Sequence, residues 1–207
     1  MTSTLTTRAG VGTPATLVGR LRDRLRPDQV RDGATELHLY RHDASNMEGR
    51  AGVVCFVEST ADVVAVVQVA NEFDVPFVPR GSGTGLAGGA VPPDGAIVVS
   101  TSKMNRILSI DEVNRVAWVE PGVLNLDLST QTGHLGVHFA PDPSSQQTCS
   151  IGGNVANNSG GPHCLAEGVT SAHILGVEVV LPDGSVAVLG GEAPEPEGYD
   201  LRGAFVG

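Results

Sequence analysis

From position 75 to 89 the chain reads Val-Pro-Phe-Val-Pro-Arg-Gly-Ser-Gly-Thr-Gly-Leu-Ala-Gly-Gly, a short apolar stretch leading into a segment with few side chains and one guanidinium. Glycine alone accepts φ > 0 without penalty, so such a run can turn consecutive backbone N–H groups to one side. A nest of amides of that kind binds anions, phosphates above all. Hydrogen bonds to a charged partner contribute about 1.5–3 kcal/mol each, so several together can anchor a diphosphate. Arg80 is the only ionised side chain between Asp74 and Asp94, which makes the segment locally positive. Its chemistry reads as pyrophosphate binding.

Gly83-Thr-Gly85-Leu-Ala-Gly88 also fits the GxGxxG pattern of a Rossmann site. A Rossmann fingerprint opens a long helix, but Pro92-Pro93 arrives before a crossover helix can form. Asp111 lies at a tolerable distance for a ribose acid, yet no helix separates it from the loop. That reading and a glycine-rich turn without ligand stay open as alternatives. A Walker A loop is excluded, because no Gly-Lys-Ser/Thr ends the segment.

A second ligand-like region is Pro141-Asp-Pro-Ser-Ser145, followed by Ser150-Ile-Gly-Gly-Asn-Val-Ala-Asn-Asn-Ser-Gly-Gly-Pro162. Gly152, Gly153, Ser159, Gly160 and Gly161 permit close backbone approach, and Asn154 and Asn157 offer amides that can read a heterocycle edge or a phosphate. Alone it reads as a turn-rich connector. Beside the first loop it suggests the second wall of an extended nucleotide site.

At 207 residues, with 41% hydrophobic and 17% charged residues and 27 glycines, the chain is globular and loop-rich. A net charge of −10 disfavours nonspecific binding to nucleic acid or anionic membrane. No apolar run approaches membrane-spanning length and the N-terminus lacks a signal-peptide core, so a cytoplasmic location is expected. Cys55, Cys149 and Cys164 are odd in number and far apart, which indicates neither a disulfide framework nor a CxxC zinc site. His38/His42 and His134/His138 have i,i+4 spacing. Gly136 interrupts the second pair and helical periodicity is weak around the first, so both read as surface histidines and no metal is expected. Glu192, Glu195 and Glu197, with Pro194 and Pro196, read as a solvated loop.

These loops need a scaffold. Residues 1–12 read as a flexible lead, and Thr13-Pro14 as a helix start ahead of Leu17, Val18, Leu21 and Leu25. Residues 52–57 are strand-like. Ser59-Thr-Ala-Asp62 reads as a variant capping box opening a helix with Val63, Val64, Val66, Val67, Val69 and Ala70, and residues 75–78 form the next strand. That βαβ unit starts a small parallel sheet. Beyond it, short strands are expected at 96–100, 106–110 and 116–120, and a helix at 124–132 ended by Gly133. A hairpin over 173–181 and 185–189 turns at Pro182-Asp183-Gly184. The fold class is α+β: a small parallel βαβ subdomain over about 13–101, then a larger antiparallel sheet with helices over 102–207. The apolar ending Ala204-Phe-Val-Gly207 suggests truncation at the C-terminus.

Together these motifs resemble the PCMH-type FAD-binding domain of the vanillyl-alcohol oxidase and p-cresol methylhydroxylase superfamily, in its glycolate oxidase catalytic-subunit and D-lactate dehydrogenase branch. The resemblance rests on Val78-Pro-Arg-Gly-Ser-Gly-Thr-Gly-Leu-Ala-Gly-Gly89, Pro141-Asp-Pro-Ser-Ser145, Ile151-Gly-Gly-Asn154, Asn158-Ser-Gly-Gly-Pro162, Gly168-Val-Thr170, Ile174-Leu-Gly-Val-Glu-Val-Val-Leu-Pro-Asp-Gly184 and Gly198-Tyr-Asp-Leu201, in that order.

The resemblance implies FAD held between the two subdomains. Pro79, Arg80, Gly81, Ser82, Gly83, Thr84, Gly85 and Leu86 would bind it, with 80–85 wrapping the diphosphate. Pro141, Ser144 and Ser145 would run along the flavin. Gly152, Gly153, Asn154, Asn157, Gly160, Gly161, Gly168, Val169 and Ile174 would line the cofactor. Relatives in this branch oxidise a small-molecule 2-hydroxy acid by hydride transfer to flavin N5, and their catalytic groups usually come from a second, substrate-binding domain. No catalytic residue is therefore assigned here, and a missing substrate domain or an electron-acceptor subunit is an expected partner. Some relatives tether FAD to a histidine near the first loop. None stands there, and His163-Cys164 reads as a pocket-edge pair, so non-covalent FAD is expected. The alternative is a truncated or split FAD-binding module without activity of its own.

Overall fold

The computed structural model describes residues 15–191 and 198–207. The expected lead at 1–12, the Thr13-Pro14 helix start and the acidic segment of Glu192, Glu195 and Glu197 lie outside the described residues.

Helix α1 (Ala15–Arg24) buries Leu17, Val18 and Leu21. Its chain then passes through β1 (Val30–Arg31) and α2 (Ala34–Leu39), elements too short to leave a periodic pattern. Strand β2 (Ala51–Phe56) follows, then α3 (Thr60–Phe73), β3 (Phe77–Arg80) and β4 (Ala96–Ser100). Ser59 caps α3 as its type suggests, its Oγ accepting the Asp62 N–H at 3.2 Å. The Asp62 carboxylate reaches back one residue further than in a capping box, accepting from the Glu58 amide at 2.9 Å and from Gln29 Nε2 at 2.8 Å.

The four-stranded sheet runs β1-β2-β4-β3. Strands β2 and β3, joined through α3, are not neighbours: β4 lies between them, parallel to both, with Val98 opposite Val54 on one side and Val78 on the other. Every residue of β4 is buried, the signature of a strand covered on both faces. Leu17, Leu21, Val66 and Val69 pack with Val53, Cys55, Ile97 and Val99 on one side. Leu37 and Tyr40 pack with Val54 and Val98 on the other. Burial drives the Cys55 thiol up to about 12, so it stays a neutral core group.

Two separate antiparallel hairpins follow, β5 (Ile107–Asp111) with β6 (Val116–Val119), and β7 (Gly176–Val180) with β8 (Val186–Gly190). The second turns where Pro182-Asp183-Gly184 predicts, the Gly184 amide donating to Leu181 O at 2.8 Å. It is fixed to α3 by Thr60 Oγ1 on Glu178 and by Asn71 Nδ2 on the Pro182 carbonyl. Helix α4 (Asn125–Thr132) packs Leu128 with Val123 and Ile151, below Ile107 and Val119. It ends at Thr132 with Gly133 as its C-cap, as the sequence suggests, although Gly133 keeps a right-handed backbone. A separate 3-10 turn over Gly133–Leu135 follows and closes at Gly136, φ 73°.

Residues 151–157, expected within a connector, form helix α5 (Ile151–Asn157). Ser150 caps it by accepting from the Gly153 amide, and Asn158 ends it at φ 46°. Short helices α6 (Cys164–Glu167) and α7 (Leu201–Phe205) complete the described chain.

Candidate functional site: a glycine loop against a capped helix

Pro79 and Arg80 are the last residues of β3, and Gly81 to Leu86 leave the carboxyl end of the parallel sheet, where open α/β sheets place their ligands. No helix follows before β4, so the Rossmann reading does not describe this loop. Among the described residues, the N–H groups of Gly81, Ser82, Gly83, Thr84 and Gly85 donate to no protein acceptor. Backbone donors are rarely left without a partner, so five in a row mark a place for an anion or for solvent.

The two predicted walls meet. A Cβ on Gly81 would collide with Ser150 Oγ, so only glycine lets the loop come this close to the start of α5. A Cβ at Gly85 would lie 3.6 Å from Asn157 Nδ2 at the other end of α5. The second wall is unlike the first. The amides of Ile151, Gly152 and Asn154 donate to the carbonyls of Val123, Pro121 and Ser150, and that of Gly153 to Ser150 Oγ. Gly152 is pressed against Pro121. Asn154 is 1% exposed. Its Nδ2 has no hydrogen-bond partner, the Cys149 thiol beside it being a weak acceptor at best.

The Pro141 to Ser145 strip is held from inside by Asn125 Nδ2, which donates to the Pro141 carbonyl at 2.8 Å. From outside, His163 Nδ1 stands 2.5 Å from Asp142 Oδ2. The hydrogen bond from His163 holds the Asp142 carboxyl below its usual range, and Asp142 raises the imidazole. Gly161 abuts the Asp142 carbonyl so closely that a Cβ would not fit. Ser144 is exposed and Ser145 half-buried. Gly160 lies over Cys164 Sγ and 3.1 Å, measured from a Cβ position, from Val169 Cγ1. The same sulfur accepts from the Gly161 amide at 2.9 Å. Gly168 closes α6 by donating to Cys164 O. Ile174 follows the turn Thr170–His173, and its carbonyl accepts from Arg202 Nη1.

One feature of the site escapes the motif reading. A cavity of about 600 Å³ opens beside Ser82, lined among others by Asn105, Arg106, Gly122, Asp127 and Gln131. Ser82 alone of the predicted residues lines it. Asp127 and Gln131 stand i,i+4 on α4, a spacing that puts both on one helix face. Buried Glu120 accepts from the Arg106 amide, Nε and Nη2, which holds its carboxyl low and fixes this corner. Among the described residues no group of three His, Cys, Asp or Glu side chains could hold a metal, and no helix is long and apolar enough to cross a membrane.

Unpaired amides at the mouth of a parallel sheet, closed by a small-residue wall, are what a phosphate-bridged cofactor would require. Comparison with known proteins gives the family: residues 51–190 match the FAD binding domain, and the chain belongs to that family. It is 39% identical over 183 residues to the glycolate oxidase subunit GlcD of Bacillus subtilis, covering 87% of this chain and 39% of that protein. It is 37% identical over 171 residues to a D-lactate dehydrogenase of Anaerostipes hadrus, covering 81% of this chain and 36% of that one. Its fold superposes on p-cresol methylhydroxylase with a TM-score of 0.78 at 23% identity, over 92% of this chain and 40% of that one. The chain thus spans about two fifths of the length of these proteins. The loop fits the cofactor, since its amides lack partners and Gly81 leaves no room for a side chain at the wall.

Proposed function

We propose that this chain is the FAD-binding part of an oxidoreductase that acts on the CH–OH group of a 2-hydroxy acid of the glycolate or D-lactate type. The observation that carries the reading is the row of five unpaired amides from Gly81 to Gly85, braced against Ser150 and Asn157. In this reading residues 79–86 bind the cofactor, the main chain of 80–85 wrapping its diphosphate. Pro141, Ser144 and Ser145 run beside the flavin, and Gly152, Gly153, Asn154, Asn157, Gly160, Gly161, Gly168, Val169 and Ile174 shape the remaining wall. When bound, the flavin supplies a two-electron acceptor for alcohol oxidation. The chain's part is to fix the diphosphate with main-chain donors and to close small residues around the rest.

The substrate class is supported by the relatives, one named a glycolate oxidase subunit and another a D-lactate dehydrogenase. Groups that bind the substrate carboxylate and take its hydroxyl proton belong, in this proposal, to a substrate domain beyond these residues, and electrons pass on to a separate acceptor. The cofactor is non-covalent. The Cys164 sulfur sits against Gly160 and the Gly161 amide, and no histidine stands in the loop from Gly81 to Leu86, which supports that assignment.

Adding FAD to apoprotein is expected to quench flavin fluorescence and raise the melting temperature. In a longer protein that also carries the substrate domain, anaerobic D-lactate or glycolate should then bleach the bound flavin. No quenching and no thermal shift reject the cofactor reading, whereas binding without bleaching rejects only the substrate class. Acid precipitation should leave the yellow colour in the supernatant, and colour in the pellet rejects the non-covalent assignment.

A further inference from the structure

Arg80 adjoins the glycine loop, yet its guanidinium is engaged by Tyr40 and His42. Nη1 donates to the His42 carbonyl at 2.7 Å. Cζ lies 5.0 Å from the centroid of the Tyr40 ring, which itself stands edge-on to Phe56. A Cβ on Gly83, a residue at φ 73°, would collide with Nη2, so the loop folds directly over the guanidinium. Asp43, 5% exposed, is the nearby counter-charge; its Oδ1 accepts from the Ser45 amide and its Oδ2 has no partner. One residue on, the Ala44 amide donates to the Gly85 carbonyl at 3.1 Å. The segment from Tyr40 to Ala44 therefore grips the loop at two points, through Arg80 beneath Gly83 and directly at Gly85. The unpaired amides lie between and around those points.

We propose that Arg80 is a positioning residue: seated on Tyr40 and bonded to His42, it sets the curvature of residues 81–85 so that their amides converge on one diphosphate, and its own charge does not touch the ligand. The inference rests on the FAD reading above. Its physical basis is preorganisation. Fixing a free residue costs conformational entropy, so a loop already held in its binding shape keeps affinity that a slack loop loses.

The test is a set of FAD titrations of the apoprotein at several salt concentrations, for wild type, Arg80→Met, Arg80→Lys, Tyr40→Leu and the Tyr40→Leu/Arg80→Met double variant. Riboflavin, which lacks the diphosphate, is titrated in parallel. Wild type that binds no FAD would sink the underlying reading, and the proposal with it. If wild type binds, Arg80→Met and Tyr40→Leu should each weaken FAD by about tenfold, the worth of one partly buried cation–π contact. The double variant should be no worse than the poorer single, because both remove the same seat. Arg80→Lys should fall between wild type and Arg80→Met, since an ammonium keeps the charge and part of the cation–π contact but lacks the planar fork. Salt dependence should match wild type throughout, and riboflavin binding should not change.

Three results overturn the proposal: multiplying losses in the double variant, a flatter salt dependence with wild-type affinity restored by lysine, or a parallel loss of riboflavin affinity. The second assigns the guanidinium to the diphosphate itself, and the third reduces Arg80 to general support of the fold. Should Arg80→Met fail to fold, the lysine variant and Tyr40→Leu still decide between these outcomes.

Discussion

The two walls of the site offer opposite things. In the loop from Gly81 to Gly85 the main chain faces outward with its donors unspent, and its shape is imposed by neighbours such as Arg80 and Ala44. In α5 the first four amides are consumed by Val123, Pro121, Ser150 Oγ and Ser150 O, so this wall gives a surface rather than donors. Both walls are rich in glycine, for different reasons. One needs freedom of φ and bare amides, the other needs thinness against Pro121. Similar composition therefore conceals a difference between offering donors and giving shape.

The sharpest way to break that contrast is to add the same methyl group to each wall. Gly81→Ala drives a Cβ into Ser150 Oγ at the meeting point. Overpacking of this kind costs about 1–3 kcal/mol, and here the loop can relieve it only by moving its amides. FAD affinity should fall roughly 10- to 100-fold, read by fluorescence titration, with little change in apoprotein melting. Adding Ser150→Gly to Gly81→Ala should restore part of the affinity by removing the obstacle. An unimproved double variant would mean that the loss arises elsewhere than at this contact.

Gly152→Ala is the counterpart, and its effect should appear in stability. Its Cβ would stand 2.5 Å from Pro121 Cβ and 3.0 Å from the Pro121 backbone, a neighbour with little freedom to move. A loss of about 1–3 kcal/mol is expected, seen as a fall of a few degrees in melting temperature. FAD affinity of the folded protein should drop less than for Gly81→Ala. Equal losses of affinity in the two variants would erase the distinction between the walls.

What the sequence disclosed follows the same division. Local signals were legible: Ser59 ahead of α3, the Pro182-Asp183-Gly184 turn, and a glycine run directly after a strand. Helix α5 was not, because Gly152, Gly153, Asn154 and Asn157 are poor helix formers. Its helicity comes from the Ser150 cap and from the carbonyls of Pro121 and Val123, which are distant in sequence. Nor could spacing reveal that β4 enters between β2 and β3, though an uninterrupted apolar run is what a central parallel strand needs. The loop's support at Tyr40, His42 and Ala44 works largely through main-chain atoms some forty residues upstream. No residue pattern encodes it.

The smallest effect concerns the fastening of the second wall, where the Pro141 to Ser145 strip meets Gly161 and His163. The groups facing His163 are Asp142 on the strip and Glu167 on α6, both of which raise its pKa. A histidine raised by folding contributes stability fully below its unfolded pKa, and that contribution is lost as pH climbs through the folded value. Asp142, lowered by the same contact, contributes above its unfolded pKa and loses its share as pH falls through its folded value. The pair is therefore strongest at mildly acidic pH, between the two titrations, and weakens toward alkaline pH. His163 is 72% exposed, so solvent screens the pair and the effect on melting should be slight. The melting difference between wild type and His163→Gln should be largest near pH 5–6 and shrink above the histidine titration. An NMR titration should place the His163 ring above the ordinary value of about 6.5, and Asp142→Asn should lower it toward that value, with Glu167 keeping the remainder. A His163 ring that titrates normally in wild type would show that the strip is held by Asn125 and Gly161 alone, and that the second wall, like its helix, depends on packing rather than charge.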